Sequence, residues 1–207
     1  FSVFNSYVDC ESDLVYFKST SVYDDTLVFS DRNVMFNEIV DNYSEGLIDE
    51  FQARISYLVP WGKMVRRSLV VENSIRFDEV LAANDVMFST KVGFFSKSFA
   101  VDLSYVYCVT TRRASLAQRR DLPVIESRYY AFIRRNAFLK REGFSSRQSS
   151  VMVYIWESLK FGPIVFFSFL WTALKFRQNI FIGYNRWFTT ARTLKLKEKR
   201  DKKYISR

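Results

Sequence analysis

The sequence predicts an α/β fold that gives way, in its last third, to a helical extension rich in apolar and basic residues. Three observations predict it. Runs of β-branched and aromatic residues with partial alternation are interleaved with helically spaced apolar residues over 1–118. Pro123 and Gly143 bracket a long amphipathic pattern. The stretch FGPIVFFSFLWTAL, 161–174, carries no charge at all. The expected organisation is therefore a domain over 1–118, a basic amphipathic helical segment over 119–150, membrane-interface helices over 151–190 and a basic, disordered tail over 191–207.

The elements follow in order. FSVFNSYVDCES reads as the end of a helix and DLVYFKSTSVY as a strand; YDDTLVFS turns into another extended segment. In NVMFNEIVDN, Val34, Phe36, Ile39 and Val40 fall at helical spacing, and Gly46 ends that region. A helix is expected over about 47–55, a break at Pro60, a second helix over about 61–72 and a short strand over 75–77. AANDVMFS places Asn84 and Asp85 at the head of an apolar helix, where such residues cap free amides and complement the helix dipole. A carboxylate so placed can equally serve as a general base on a rigid mount. Phe99, Val101, Leu103, Tyr105 and Tyr107 alternate as a strand should. Over 123–143, Ile133, Ala137 and Phe138 oppose Arg134, Arg135 and Arg141 across an amphipathic helix.

Charge is distributed unevenly. The net +9 combines 9 basic and 16 acidic residues over 1–107, 10 and 3 over 108–150, and 12 and 3 over 151–207. The acidic part suits an ordinary globular surface; the basic part suits an anionic partner. With no histidine in the chain, Ser-His-Asp, Cys-His and His-ligated metal chemistry are excluded within it, leaving carboxylates, Lys, Tyr, Ser and Arg. Cys10 and Cys108 form neither a disulfide framework nor a metal knuckle, which favours a reducing, cytosolic setting.

The uncharged run of 14 residues is shorter than the roughly 20 that a crossing needs, and is flanked by Lys160, Lys175 and Arg177. With Tyr184 and Trp187 beyond it, the pattern suits a segment lying in the membrane interface; a buried core helix or a dimer face is the competing reading. The lysines and arginines of TLKLKEKRDKKYISR add attraction to an anionic bilayer.

Three stretches in order carry a resemblance: VPWGKMVRRSLV at 59–70, IRFDEVLAANDVMFS at 75–89 and VYCVTTRRASL at 106–116. Together they resemble the acceptor half of family 2 inverting glycosyltransferases of the GT-A mixed-sheet fold. The matching positions are Trp61, Lys63, Arg66 and Arg67, then Phe77, Glu79, Asn84, Asp85 and Phe88, then Arg112, Arg113 and Ser115. The resemblance implies Asp85 as the catalytic base, Trp61, Lys63 and Asn84 as acceptor-binding residues, and Arg112 and Arg113 as a clamp on the departing diphosphate. The family usually has Glu where Asn84 stands. Trp61 also fits a core role beside Pro60, Lys63 a solvated surface, and the arginine pair the start of a basic, membrane-facing surface.

The resemblance further implies a nucleotide-sugar donor, a glycan or lipid-linked acceptor, and a divalent metal, Mg or Mn. The family's metal-binding Asp-x-Asp belongs to a donor-binding half that is not in this sequence, so the chain is expected to be the C-terminal part of a longer enzyme. Neither VDCESD (Asp9, Glu11, Asp13) nor YDDT (Asp24, Asp25) follows the buried strand that such a motif terminates. The expected setting is the cytoplasmic face of the cell membrane, peripherally bound, in cell-surface polysaccharide synthesis. Two other classes compete: a non-catalytic membrane adaptor, and a nucleic-acid-binding module suggested by arginines interleaved with Tyr129, Tyr130 and Phe132. The unbroken apolar run argues against the latter, and no nucleic-acid partner is expected.

Overall fold

A computed structural model of the chain describes residues 2–112 and 115–182. The described chain is mixed α/β and divides into two compact units. One comprises 2–77 and 88–112, the other 78–87 and 115–182.

The first unit is built on a three-stranded sheet in the order β2-β1-β3. A short helix, α1 (Ser2–Asn5), precedes β1 (Leu14–Tyr23), which pairs parallel with β3 (Phe99–Thr111) and antiparallel with β2 (Lys63–Val65). Because β1 lies between two strands, Leu14, Val15, Tyr16 and Phe17 are all buried, as the unbroken apolar run LVYF requires. Around the sheet lie α2 (Val34–Ser44), α3 (Glu50–Ser56), α4 (Arg67–Glu72) and most of α5 (Asp85–Phe95). Leu14, Tyr16, Phe36, Val40, Tyr57, Leu69, Ile75 and Val92 share one core.

The register between β1 and β3 shifts on both sides of Lys18, and such a bulge re-aims the side chain it carries. Lys18 meets Asp41 of α2 in a buried ion pair, Nζ to Oδ1 at 2.5 Å. Beyond the bulge, amides of α2 replace sheet partners. Asn37 donates to the Ser19 carbonyl at 2.9 Å and accepts from the Ser19 amide at 3.0 Å, while Asn33 donates to the same carbonyl at 2.7 Å. The Ser21 hydroxyl donates to Asn33 Oδ1 at 2.7 Å. Buried backbone groups at the irregularity are thereby satisfied by side chains.

Three local expectations are corrected. In place of a helix over 61–72 there is β2 followed by α4. Gly62 adopts φ +68, which a helix start does not tolerate, and pairing of Lys63, Met64 and Val65 with Tyr16, Val15 and Leu14 draws that stretch into the sheet. The strand expected over 75–77 is irregular chain: Ile75 enters the core, and Phe77 stacks on Phe88 with centroids 4.1 Å apart. Similarly, the extended segment after Asp25 reduces to a single bridge, Val22 to Phe29.

The second unit is helical. Its main element, α6 (Leu122–Arg141), is capped by Asp121, which accepts from the Val124 amide at 3.3 Å, and Gly143 follows it at φ +87. Then come α7 (Met152–Ser158) and α8 (Pro163–Lys175). The segments expected to be separate at 119–150 and 151–190 share one core over their described parts: Ile125, Tyr129 and Ile133 pack with Val151, Met152, Ile155, Phe169 and Ala173. Asn136 locks this unit. Its amide nitrogen donates to the Ser149 carbonyl and to Gln178 Oε1, each at 2.8 Å, and its oxygen accepts from the Ser149 amide at 2.8 Å. Among the described residues no helix is long and apolar enough to cross a membrane. Tyr184, Trp187 and the basic tail lie outside the described residues.

Candidate functional site around Asp85

Asp85 is the first residue of α5 and lies in its first turn, where a carboxylate faces the positive end of the helix dipole. It is half-buried; Asn84, one position earlier, is exposed. The loop leading to it is held at several points. The Asp78 amide donates to the Asn84 carbonyl at 3.1 Å, closing the loop on itself. Asp78 Oδ2 pairs with Arg134 of α6 at 3.0 Å. Ser127 of α6 makes a reciprocal pair with Ala82, its hydroxyl donating to the carbonyl at 2.8 Å and accepting from the amide at 2.9 Å. Ala83 sits at φ +61, a conformation that a non-glycine residue adopts when its surroundings impose it. The loop's Val80 and Leu81 also line an open groove of about 400 Å³ with Pro123, Glu126, Ser127, Tyr130 and Arg134.

Sequence reasoning missed Asp78, Ser127 and Arg134. Arg134 was expected on the solvated face of α6 and Ser127 carried no pattern. The available signal was an acidic pair, Asp78–Glu79, in a stretch without helical periodicity upstream of an arginine-rich helix.

In the first unit, Trp61 is half-buried in an aromatic cluster. It meets Phe36 edge-on at 4.8 Å and stacks nearly parallel to Tyr107 at 6.2 Å. The neighbouring Lys63 donates from Nζ to the Tyr57 carbonyl at 2.8 Å and lies 5.0 Å from the centroids of Tyr16 and Tyr57. Burial pushes both phenols well above their ordinary range, so the ammonium rests on two neutral rings. These contacts give Trp61 and Lys63 packing roles whatever else they bind.

Arg112, just past β3, pairs through Nε with Asp24 Oδ2 at 2.9 Å, while its side chain remains 79% exposed. Arg113 lies outside the described residues. The acidic stretches near the amino terminus do not fit a divalent cation. Asp24 is committed to Arg112, and Asp13 accepts from Arg66 Nε at 3.0 Å and from the Lys97 amide at 2.8 Å. Among the described residues no three potential metal-ligating side chains gather in one place.

No protein-family model matches this chain. A search of curated proteins likewise finds no match.

Proposed function

We propose that the chain is the acceptor-side part of an inverting glycosyltransferase of the GT-A, family 2 kind, extending a cell-surface glycan or lipid-linked acceptor from a nucleotide sugar. The observation that carries the reading is Asp85. It stands at the head of a helix, at the end of a loop fastened by Ser127 and Arg134, in the sequence setting NDVMFS that resembles the family's base.

In this reading the Asp85 carboxylate takes the proton of the acceptor hydroxyl as its oxygen attacks the anomeric carbon. The bond from that carbon to the donor phosphate breaks on the opposite face, and its electron pair leaves with the nucleoside diphosphate. A carboxylate suffices for this step. The fastened loop supplies a base whose backbone is already in place, so little ordering is left to the moment of reaction. The resemblance assigns the departing diphosphate to Arg112, whose guanidinium is largely exposed beside its pair with Asp24. A donor-binding half and its metal would come from residues outside this sequence.

The test is sugar transfer by the full-length enzyme and its Asp85→Asn variant. Turnover should fall by about 10²- to 10⁴-fold, the usual contribution of a positioned base, with little change in donor affinity or Tm. Turnover within a few-fold of the parent would show that Asp85 serves only the helix end.

A further inference from the structure

We infer that α8 is an in-plane docking helix for an anionic lipid surface, inserting one face among the lipid headgroups without crossing. The inference rests on the helix's own surface and is independent of the sugar-transfer reading.

The helix is apolar all round, but only one side of it is used. At 100° per residue, buried Phe169 and Ala173 fall close together on one face. Ile164, Phe167, Trp171 and Leu174 fall within a narrow arc on the opposite face, and all four are exposed, Ile164 to 85% and Trp171 to 69%. A helix of this character in a water-soluble setting normally buries its whole circumference.

Charge identifies the occupant. Lys160 stands ahead of the helix, Lys175 at its last turn and Arg177 just beyond, all exposed. From Ser158 to Ile182 there is no carboxylate. Glu157, the nearest one, is already paired with Arg120 and Lys160 at 3.3 and 3.2 Å. An apolar stripe with Lys175 and Arg177 at its end, and Glu157 shared between two cations at its head, matches hydrocarbon edged by lipid phosphates. Length sets the mode: 13 helical residues reach about 20 Å at 1.5 Å each, short of a hydrocarbon core of about 30 Å. Trp171, in the middle of the stripe, is a side chain that settles at the headgroup level.

Flotation of the full chain with vesicles of phosphatidylcholine, alone or mixed with phosphatidylglycerol, tests the inference. The protein should float with the mixed vesicles, and added salt should weaken this. Phe167→Ser with Trp171→Ser should weaken binding about tenfold or more through lost apolar burial. Lys175→Glu with Arg177→Glu should weaken binding to the mixed vesicles by a similar factor and leave binding to neutral ones unchanged. Unaltered circular dichroism and melting confirm folding, as expected for exposed positions. Both variants keep the basic residues of 195–207, so binding carried by that stretch alone would leave the stripe variant floating like the parent and would overturn the inference. A parent that fails to float overturns it, as does a stripe variant that changes only the sedimenting mass, which would make this face a contact between copies of the chain.

Discussion

The Tyr7 hydroxyl donates a 2.7 Å hydrogen bond to Oδ2 of Asp102, fastening the chain ahead of β1 to β3. Burial first, and then this bond to a carboxylate, push the Tyr7 phenol up to about 12. Burial alone would raise Asp102, but the hydrogen bonds from Ser104 and from Tyr7 outweigh it and hold the carboxyl below its usual value. The two groups act at opposite ends of the pH scale. Tyr7 contributes stability that is complete below about pH 10 and is lost as pH rises toward 12; Asp102 contributes stability present above about pH 4 and lost as pH falls through its lowered value. Tyr7→Phe should flatten the alkaline loss and weaken the acid one, read from urea unfolding across the pH range. An unchanged profile would mean that the bond does not persist in solution.

Breaking the Lys18–Asp41 pair should be costly because one buried charge would remain uncompensated. Asp41→Ala is expected to lower unfolding free energy by about 3–5 kcal/mol. Lys18→Met combined with Asp41→Leu should recover most of that loss, since two apolar groups leave no buried charge. Denaturant melts of the three variants measure the coupling, and a loss below about 1 kcal/mol in the single variant would indicate a hydrated pair.

Gly93 sits inside α5, where alanine ordinarily gains about 1 kcal/mol over glycine. Here an added Cβ would lie 2.2 Å from the Arg54 carbonyl oxygen of α3, a backbone atom that cannot swing aside. Gly93→Ala should therefore destabilise, by about 1–3 kcal/mol as overpacked sites do. A raised Tm would refute the close approach of the two helices.

Asn136→Ala should loosen the second unit by about 3 kcal/mol, since it orphans more than one buried group at about 1–3 kcal/mol each. Hydrogen exchange should quicken first at the Ser149 amide, which loses its acceptor.

On the proposed reading Ser127 is a positioning residue, acting on Asp85 through the Ala82 backbone. Ser127→Ala should lower kcat by about 10- to 100-fold through misplacement of the base. Donor KM should stay unchanged, and kcat should fall in fully folded enzyme even where the lost bonds to Ala82 lower Tm. A drop in activity that only mirrors a drop in folded fraction would assign Ser127 to stability alone.

Much of this architecture was legible because burial writes itself into residue type. DLVYFKSTSVY announced a strand, Pro123 and Gly143 bracketed α6, and Asn84–Asp85 marked the start of α5. What escaped depended on partners distant in sequence. Lys63–Val65 is too short to carry a strand pattern and becomes one only by pairing with β1, while Phe77 lacks a strand partner and settles on Phe88. The setting of Asp85 was half legible: its place at the helix head followed from local chemistry, whereas the fastening by Ser127 and Arg134 joins a loop to a helix some fifty positions later. The core alternative for Trp61 was legible from its place beside Pro60, whereas the aromatic contacts of Trp61 and Lys63 were not, since a ring cluster leaves no period in the sequence.

The parallel pairing of Leu14 with Phe99, and onward to Tyr23 with Thr111, has a kinetic consequence. During synthesis β1, with the apolar run LVYF at 14–17 in need of a neighbour, is made well before β3, the strand that completes one side of it. Closing so long a loop before any pairing is rewarded is slow compared with helix formation. The nascent chain thus carries a bare, sticky central strand for most of the unit's synthesis, and β2, though only three residues long, arrives in time to cover one edge of it.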